Sequence, residues 1–182
     1  MPAMAPPRLT DTSYAVLALL DQFGPATPYQ LKGIAQVSIF HFWSIPHTQI
    51  YTECDRLAEA GLLNERREES GRRRRMYSLS AAGRRALEEW RRDPDAEMYE
   101  LRDPGLLKLF CGTDPRELAR TQLERHERRL ASYEEMLGGD QMPEGMRLAL
   151  EAGVGHQREY VRFWSQVLAE SSERKATATV SR

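Results

Sequence analysis

The sequence has few residues that could form disulfides or bind metals. Cys54 and Cys111 are its only cysteines among 182 residues, and neither has a partner at the spacing of a metal-ligand pair. Disulfide-stabilised domains and zinc sites need more cysteines, placed closer together. His41 and His47 lie six residues apart with no third ligand nearby, so a metal site is not expected. We therefore expect a protein of a reducing compartment, the cytoplasm, without disulfides or bound metal.

Long apolar runs are also missing. No stretch reaches the ~18 consecutive apolar residues that indicate a transmembrane helix. The N-terminal run MPAMAPPRLT lacks the apolar core of a signal peptide. We expect no association with a membrane. Residues 1–11, rich in Pro and Ala, and the polar residues 171–182 are both expected to be disordered.

No set of catalytic residues can be recognised. The sequence has no glycine-rich phosphate loop, no nucleophile beside a base and no paired carboxylates in an apolar setting. Its Asp and Glu residues are scattered beside Arg along the predicted helix surfaces, as solvated ion pairs are. We therefore predict that the protein is not an enzyme and needs no cofactor.

What the sequence does contain is a local concentration of positive charge. The whole chain has a net charge of -1. Residues 1–92 hold 13 Lys and Arg against 10 Asp and Glu, a net of +3, and residues 93–182 hold 13 against 17, a net of -4. Six of the 13 cations in the first half lie between Arg66 and Arg75. A charge run is more often a solvated turn, but a local patch is also typical of a DNA-binding regulator.

The stretch from Phe42 to Gly83 decides between these readings, and its first part predicts a helix. The helix is expected to begin near Ser44, with Pro46 in its first turn, where the missing N–H costs nothing. Gly61 predicts a left-handed cap at its end. The residues at helical spacing on its apolar side form one predicted buried stripe: Ile50, Cys54, Leu57 and Ala58.

A two-stranded ribbon is predicted directly after this helix. The strands are residues 62–67 and 74–79, and a charged turn joins them. Another helix, residues 80–92, follows. A helix followed by a ribbon with an arginine-rich tip predicts a winged helix-turn-helix, so the patch is interpreted as a DNA-binding wing. The candidate DNA-binding residues are the polar face of the helix and the first wing arginines: His47, Thr48, Gln49, Tyr51, Thr52, Arg56, Arg72, Arg73 and Arg74.

The four consecutive wing arginines are predicted to have different roles, because side chains alternate along a strand. Arg75 has the same parity as Tyr77, which is expected to pack inward, so Arg75 is predicted to be structural. Arg74 faces the opposite side and is predicted to contact a phosphate. Arg72 and Arg73, at the tip, are predicted to contact phosphates or the minor groove.

Two further helices complete the predicted DNA-binding domain, residues 12–92. The first, residues 12–23, can be capped by Thr10 or Asp11, and the second, residues 28–37, has Thr27 at its N-cap.

Between the second helix and the recognition helix lies a cluster of aromatic residues. Phe40, Phe42 and Trp43 are predicted to form a hydrophobic plug that seats the recognition helix. The alternative is that they form part of a ligand pocket.

The second half predicts a helical hairpin, residues 113–170, after a hinge segment and connecting helix, residues 93–112. Apolar residues alternate at spacings of four and three on both long helices, a pattern typical of helix packing. His126 lies on this seam and is expected to be hydrogen-bonded between the helices. A single hairpin is expected to be too small to bury both stripes, so they are predicted to contact a second copy. The predicted dimerisation residues are Leu123, Leu130, Tyr133, Leu137, Val154, Val161, Trp164 and Leu168.

Three runs together carry a family resemblance. YQLKGIA, then FWS-x-x-H-T-Q-I-Y, then GRRRRMYSLSAAG, closely resemble the winged-helix domain of PadR-type transcriptional regulators. The run RDPGLLKLF and the two long helices after it resemble the C-terminal domain of the longer members. The resemblance implies a mainly α-helical fold with a small two-stranded β wing. It also implies a homodimeric repressor that binds a palindromic operator in double-stranded DNA and responds to a small aromatic or hydrophobic effector. The alternative is a helical scaffold or interaction module without DNA binding, which the basic wing argues against.

Overall fold

The computed structural model describes residues 8–40, 42–67, 74–139 and 142–180, with side chains described as far as residue 172. The chain divides into two compact units, Met1–Glu97 and Met98–Arg182. The described residues form seven helices and one two-stranded antiparallel sheet. The predicted class, mainly α with a small β wing, is confirmed.

The first unit opens with two helices that begin where hydroxyl caps were predicted. Helix α1, Asp11–Phe23, is capped by Thr10, whose Oγ1 accepts the Ser13 N–H, while the Ser13 hydroxyl accepts the Thr10 N–H. Helix α2, Pro28–Ser38, is capped in the same way by Thr27. These reciprocal hydrogen bonds satisfy backbone donors that have no partner inside the helix.

Helix α3, His47–Glu59, begins three residues later than predicted. The predicted start near Ser44 is wrong because the residue before a proline is disfavoured in the helical conformation, which excludes Ile45. Pro46 is therefore the N-cap and lies outside the helix.

The end of α3 agrees with the sequence. Gly61 has φ 72°. Its N–H donates to the Ala58 carbonyl, and the next N–H, of Leu62, donates to the Leu57 carbonyl, both at 2.9 Å. This pair of bonds is a Schellman motif, so the predicted left-handed cap is confirmed.

The wing consists of strands β1, Leu63–Arg67, and β2, Arg75–Leu79. The strands are antiparallel, with Glu65 opposite Tyr77. Ala26 forms an isolated antiparallel β-bridge with Tyr77, because their backbones exchange hydrogen bonds of 3.0 and 2.9 Å. Arg72 and Arg73, the predicted wing tip, lie outside the described residues.

Helix α4, Ala81–Arg92, follows the wing and is capped by the Ser80 hydroxyl. It packs on α1, where Tyr14 stacks on Trp90 with ring centroids 4.8 Å apart. Every helix and both strands of this unit contribute to one core. Its largest fully buried members include Leu17, Leu31, Ile45, Ile50, Leu57, Tyr77 and Leu87.

The predicted aromatic plug is wrong for two of its three residues. Phe42 and Trp43 are 57% and 39% exposed, and only Phe40 packs, half-buried, against the core. Ile45, 2% exposed, fills the core position in front of α3. Ile45 is therefore the residue before α3 that enters the core, and the rings of Phe42 and Trp43 lie at the surface.

The second unit contains helix α5, Pro104–Phe110, helix α6, Pro115–Leu137, and helix α7, Glu144–Val180. The carboxylates of Asp103 and Asp114 accept two backbone N–H groups each at the starts of α5 and α6. Both helices begin at an Asp-Pro pair, as the sequence predicts.

The seam residues of the hairpin pack against each other within one chain. Tyr133, Val154 and Trp164 are buried, with Trp164 fully so, and the hairpin has two apolar clusters. Their assignment to a dimer interface is therefore corrected, because a side chain buried in its own chain cannot contact a second one. The other predicted dimerisation residues are only partly buried, so their place in a dimer interface stays a prediction: Leu123, Leu130, Leu137, Val161 and Leu168. His126 Nδ1 lies 2.7 Å from Gln157 Oε1 on α7, so the predicted hydrogen bond across the seam is confirmed.

Both chain ends are more ordered than predicted where the structure describes them. Leu9 packs on the core and Thr10 caps α1, so the expectation of disorder is wrong for the last part of residues 1–11. Helix α7 continues to Val180, beyond the predicted end of order at residue 170. The hydroxyls of Ser171 and Ser172 donate to carbonyls one turn earlier, so these polar residues are accommodated in a helix. None of the helices among the described residues combines the length and apolarity needed to cross a membrane.

Candidate nucleic-acid interface

Helix α3 has an open polar face opposite its buried stripe. His47, Thr48, Tyr51 and Thr52 are all exposed. The Thr52 hydroxyl donates to the Thr48 carbonyl at 3.0 Å, which leaves its oxygen free as an acceptor. Because positions 47, 48, 51 and 52 share one side of a helix, these four side chains can enter a groove together.

Gln49 lies beside this face, on the side that turns toward α1. Its Nε2 is 3.4 Å from the Thr12 hydroxyl oxygen. That distance is long for a hydrogen bond of this kind, and the side chain is exposed. The amide can therefore leave Thr12 to bind another group.

Arg56, predicted as a DNA contact, lies on the same side as Gln49 and is engaged inside the protein. Its Nε and one terminal nitrogen donate to the two carboxylate oxygens of Glu53 at 3.0 and 2.6 Å. The same terminal nitrogen donates to the Ser13 hydroxyl at 2.8 Å, and the other donates to the Arg8 carbonyl at 3.3 Å. The structure thus brings Arg56 to α1, away from the open face.

Glu53 is the acidic partner in this network and is only 7% exposed. Burial alone would raise its pKa, but the hydrogen bonds from Arg56 and Ser13 and the charge of Arg56 together hold that pKa below its ordinary value. Glu53 is therefore a buried carboxylate that stays ionised, because the positive charge of Arg56 compensates its negative charge.

A second network joins α3 to the wing. The Tyr77 hydroxyl donates to the carboxylate of Asp55 on α3. Arg75 contacts the same carboxylate at 2.6 Å, donates to both oxygens of Glu65 and lies over the Tyr77 ring. The predicted structural role of Arg75 and the inward packing of Tyr77 agree with this arrangement.

The charges in this wing network shift two pKa values. Hydrogen bonds from Arg75 and Arg67 lower the pKa of Glu65 to about 2. Burial, followed by the hydrogen bond to Asp55, raises the pKa of Tyr77. At neutral pH the network therefore contains charged carboxylates, charged guanidinium groups and a neutral phenol, so it holds the wing at a fixed angle to α3 through charge-assisted bonds.

Two cations remain open on the described part of the wing. Arg74 is exposed, as predicted for a phosphate contact, and so is Arg66 on β1. The sequence analysis counted Arg66 in the patch without selecting it. Neither arginine has an ion-pair partner among the residues that the structure describes.

Sequence reasoning missed the acidic half of both networks. The spacing of three residues between Glu53 and Arg56 was a signal for an ion pair within the helix. Nothing in the sequence indicated that Ser13 would join them, since 43 residues separate it from Arg56. Across the described ranges, no three His, Cys, Asp or Glu side chains are grouped so that they could hold a metal ion.

Known proteins that resemble this chain are transcriptional regulators. Residues 16–89 match the family described as "Transcriptional regulator PadR-like family". The chain is 26% identical over 175 residues to "Negative transcriptional regulator PadR" of Bacillus subtilis (strain 168), which is 86% of this chain and 94% of that protein. The family and the relative are both described as transcriptional regulators, which agrees with the prediction that the chain is not an enzyme.

Two solved structures share the fold. The crystal structure of Bacillus subtilis PadR in complex with operator DNA has a TM-score of 0.77 at 24% identity, covering 89% of this chain and 99% of that one. The crystal structure of the same protein in complex with p-coumaric acid has a TM-score of 0.69 at 23% identity, covering 88% and 94%. At this level of identity the two structures establish the architecture.

Proposed function

We propose that the chain is a transcriptional regulator of the PadR-like family, as the family match and the curated relative support, and that it represses transcription by binding a palindromic operator as a homodimer. The observation that carries this proposal is the open face of α3. Four exposed polar or aromatic side chains project from a helix whose other sides are fixed to the core, to α1 and to the wing. A helix presented in this way suits the major groove, where base edges are read by side-chain hydrogen bonds.

In the proposed complex each segment of the chain has its own role. Residues 12–92 bind DNA, residues 93–112 connect the units and residues 113–170 dimerise. The open face of α3 and Gln49 read bases, while Arg74 and Arg66 bind phosphates together with Arg72 and Arg73. With DNA as its partner, the protein acts in the cytoplasm.

The proposed dimer uses apolar side chains that stay accessible in the single chain, on the segment before the hairpin as well as on the hairpin itself. Several large apolar side chains of the second unit are exposed in the single chain, and such residues favour a protein contact. They are Met98, Tyr99, Leu101, Leu107, Phe110 and Leu148. A two-fold dimer repeats α3 twice and therefore favours a palindromic site.

Release by a small aromatic or hydrophobic effector completes the proposal. Its support is the p-coumaric acid complex of the Bacillus subtilis relative. An effector that binds the DNA-free form better than the DNA-bound form lowers operator affinity by that difference.

The experiment that tests the proposal is selection of bound duplexes from a random library, followed by titration of the selected duplex. We expect an inverted repeat with half-sites about 10–10.5 base pairs apart, or a multiple of this, and affinity that falls steeply with salt. Sedimentation of the full chain should give a dimer, and p-coumaric acid should weaken binding. A helical scaffold would enrich no sequence and show no salt dependence.

Gln49 provides a test of base readout. Glutamine can read adenine with two hydrogen bonds, which are worth about 1–3 kcal/mol of discrimination. We expect Gln49→Ala to reduce affinity for the selected duplex by this amount and to leave affinity for random DNA unchanged. Gln22→Ala, an exposed glutamine of α1, is the matched control and should change neither. An equal loss on both duplexes would exclude base readout by Gln49.

The wing arginines are separated by the salt dependence of binding. Each lost phosphate contact should flatten the slope of log K against log salt by about 0.9. We expect Arg66→Ala, Arg72→Ala, Arg73→Ala and Arg74→Ala to show this change. Arg75→Ala should instead keep the slope and lower stability, because Arg75 binds Asp55 and Glu65. Wild-type slopes in all five variants would mean that the wing does not touch DNA.

A further inference from the structure

Arg56 has little capacity left for a ligand. A guanidinium group has five N–H donors. In Arg56 the Nε donor binds Glu53, both donors of one terminal nitrogen bind Glu53 and Ser13, and one donor of the other binds the Arg8 carbonyl. Four of the five are therefore engaged within the protein.

The partners of Arg56 lie in a firmly held part of the first unit. Ser13 is fully buried and also accepts the Thr10 N–H in the capping box of α1. Glu53 is buried on α3, one turn before Arg56. The network thus ties the first turn of α1 to the last half of α3, on the side that also carries Gln49.

We infer that Arg56 is a positioning residue, which with Glu53 and Ser13 fixes the rotation of α3 on α1 and does not itself bind DNA. The inference rests on the proposed function of α3 in reading DNA. This role differs from the direct DNA contact that the position of Arg56 on the helix suggests.

Rotation of α3 matters because base readout depends on short, directed hydrogen bonds. Side chains end roughly 5–6 Å from the axis of a helix, so turning it by about 20° moves their tips by about 2 Å. A displacement of this size breaks a hydrogen bond. The buried stripe resists large movements of α3, but apolar contacts have no direction. The hydrogen bonds that Arg56 donates to the Ser13 hydroxyl and the Arg8 carbonyl are directional, and the fork to Glu53, on the same helix, holds the guanidinium group that makes them.

The test compares Arg56→Gln, Arg56→Lys and Glu53→Gln at a temperature where circular dichroism shows each variant folded. All three should lower affinity for the selected duplex by roughly 10- to 100-fold, the scale of hydrogen bonds to charged groups. The salt slope should stay at the wild-type value in each. Lysine keeps the charge but cannot reproduce the fork, so it should not rescue binding.

The double variant Glu53→Gln/Arg56→Gln should bind no more weakly than the worse of the two single variants, because both remove the same interaction. Arg74→Gln is the matched control and should flatten the slope by about 0.9. The inference is overturned if Arg56→Gln flattens the slope to the same extent while Arg56→Lys restores affinity, since that is the signature of a phosphate contact.

Hydrogen exchange separates this inference from the proposed function. If no duplex is selected by the wild-type protein, DNA binding fails, but exchange in α3 still reports how the helix is held. Arg56→Gln should then accelerate exchange in α3 and leave β2 unchanged. Unchanged exchange in α3 would show that Arg56 does not position the helix.

Discussion

Replacing Trp164 with alanine is expected to lower the free energy of unfolding of the second unit by about 3–5 kcal/mol. Trp164 is fully buried and lies in the apolar cluster with Leu118 and Ala119, where α6 and α7 meet and α5 packs beside them. Removing the indole leaves a cavity between helices that are held by other contacts and cannot collapse into it. The free energy of unfolding is measured in urea at fixed protein concentration. Hydrogen exchange in α6 and α7 reports the loss in this unit.

Trp164→Phe is the matched control for this prediction. The buried Nε1 of Trp164 has no hydrogen-bond partner within the residues described, and an unsatisfied buried donor is unfavourable. Phenylalanine removes this donor and keeps most of the apolar contacts, so its cost should be under about 1.5 kcal/mol. Equal losses in both variants would indicate that the Nε1 group has an acceptor, and a loss below about 1 kcal/mol for alanine would contradict the core position.

The helices of the second unit could be predicted because their ends are marked in the sequence. Asp103-Pro104 and Asp114-Pro115 start α5 and α6, and the end of α6 at Leu137 coincides with the Gly138-Gly139 pair. The apolar spacing also identified the right faces of α6 and α7. It could not identify their partner, because a periodic stripe shows which side is buried and not what buries it. In this chain the two stripes pack against each other.

The site was predictable to the same extent. Helical spacing separated the buried stripe of α3 from its polar residues, and the structure leaves His47, Thr48, Tyr51 and Thr52 open as expected. The polar residues nevertheless belong to different sides. Arg56 faces α1, and this depends on a tertiary contact with Ser13 that no local pattern encodes.

The contact between the wing and its following helix provides the last prediction, since it depends on Gly83. A Cβ at this position would lie 2.1 Å from the Leu62 carbonyl oxygen and 3.1 Å from Leu79 Cδ1. That carbonyl accepts the Ser80 N–H at 3.1 Å, and Ser80 caps α4 through the Gly83 N–H. A backbone oxygen cannot rotate away as a side chain can. Gly83→Ala must therefore push α4 away from Leu62.

Gly83→Ala is therefore expected to lower the free energy of unfolding of the first unit by about 3 kcal/mol, the upper end of the range for overpacking. Gly33→Ala in α2 is the control, because nothing lies within 4 Å of the added Cβ. An open helical position should gain about 0.5–1 kcal/mol from the same change. Urea unfolding is monitored by tryptophan fluorescence with both variants made in a Trp164→Phe background, so that the signal comes from Trp43 and Trp90 of this unit. If Gly83→Ala stays within about 0.5 kcal/mol of wild type, the size of an ordinary surface substitution, α4 does not approach Leu62 as closely as described. The wing then has more freedom relative to α3 than the bonds of Arg75 and Tyr77 to Asp55 imply.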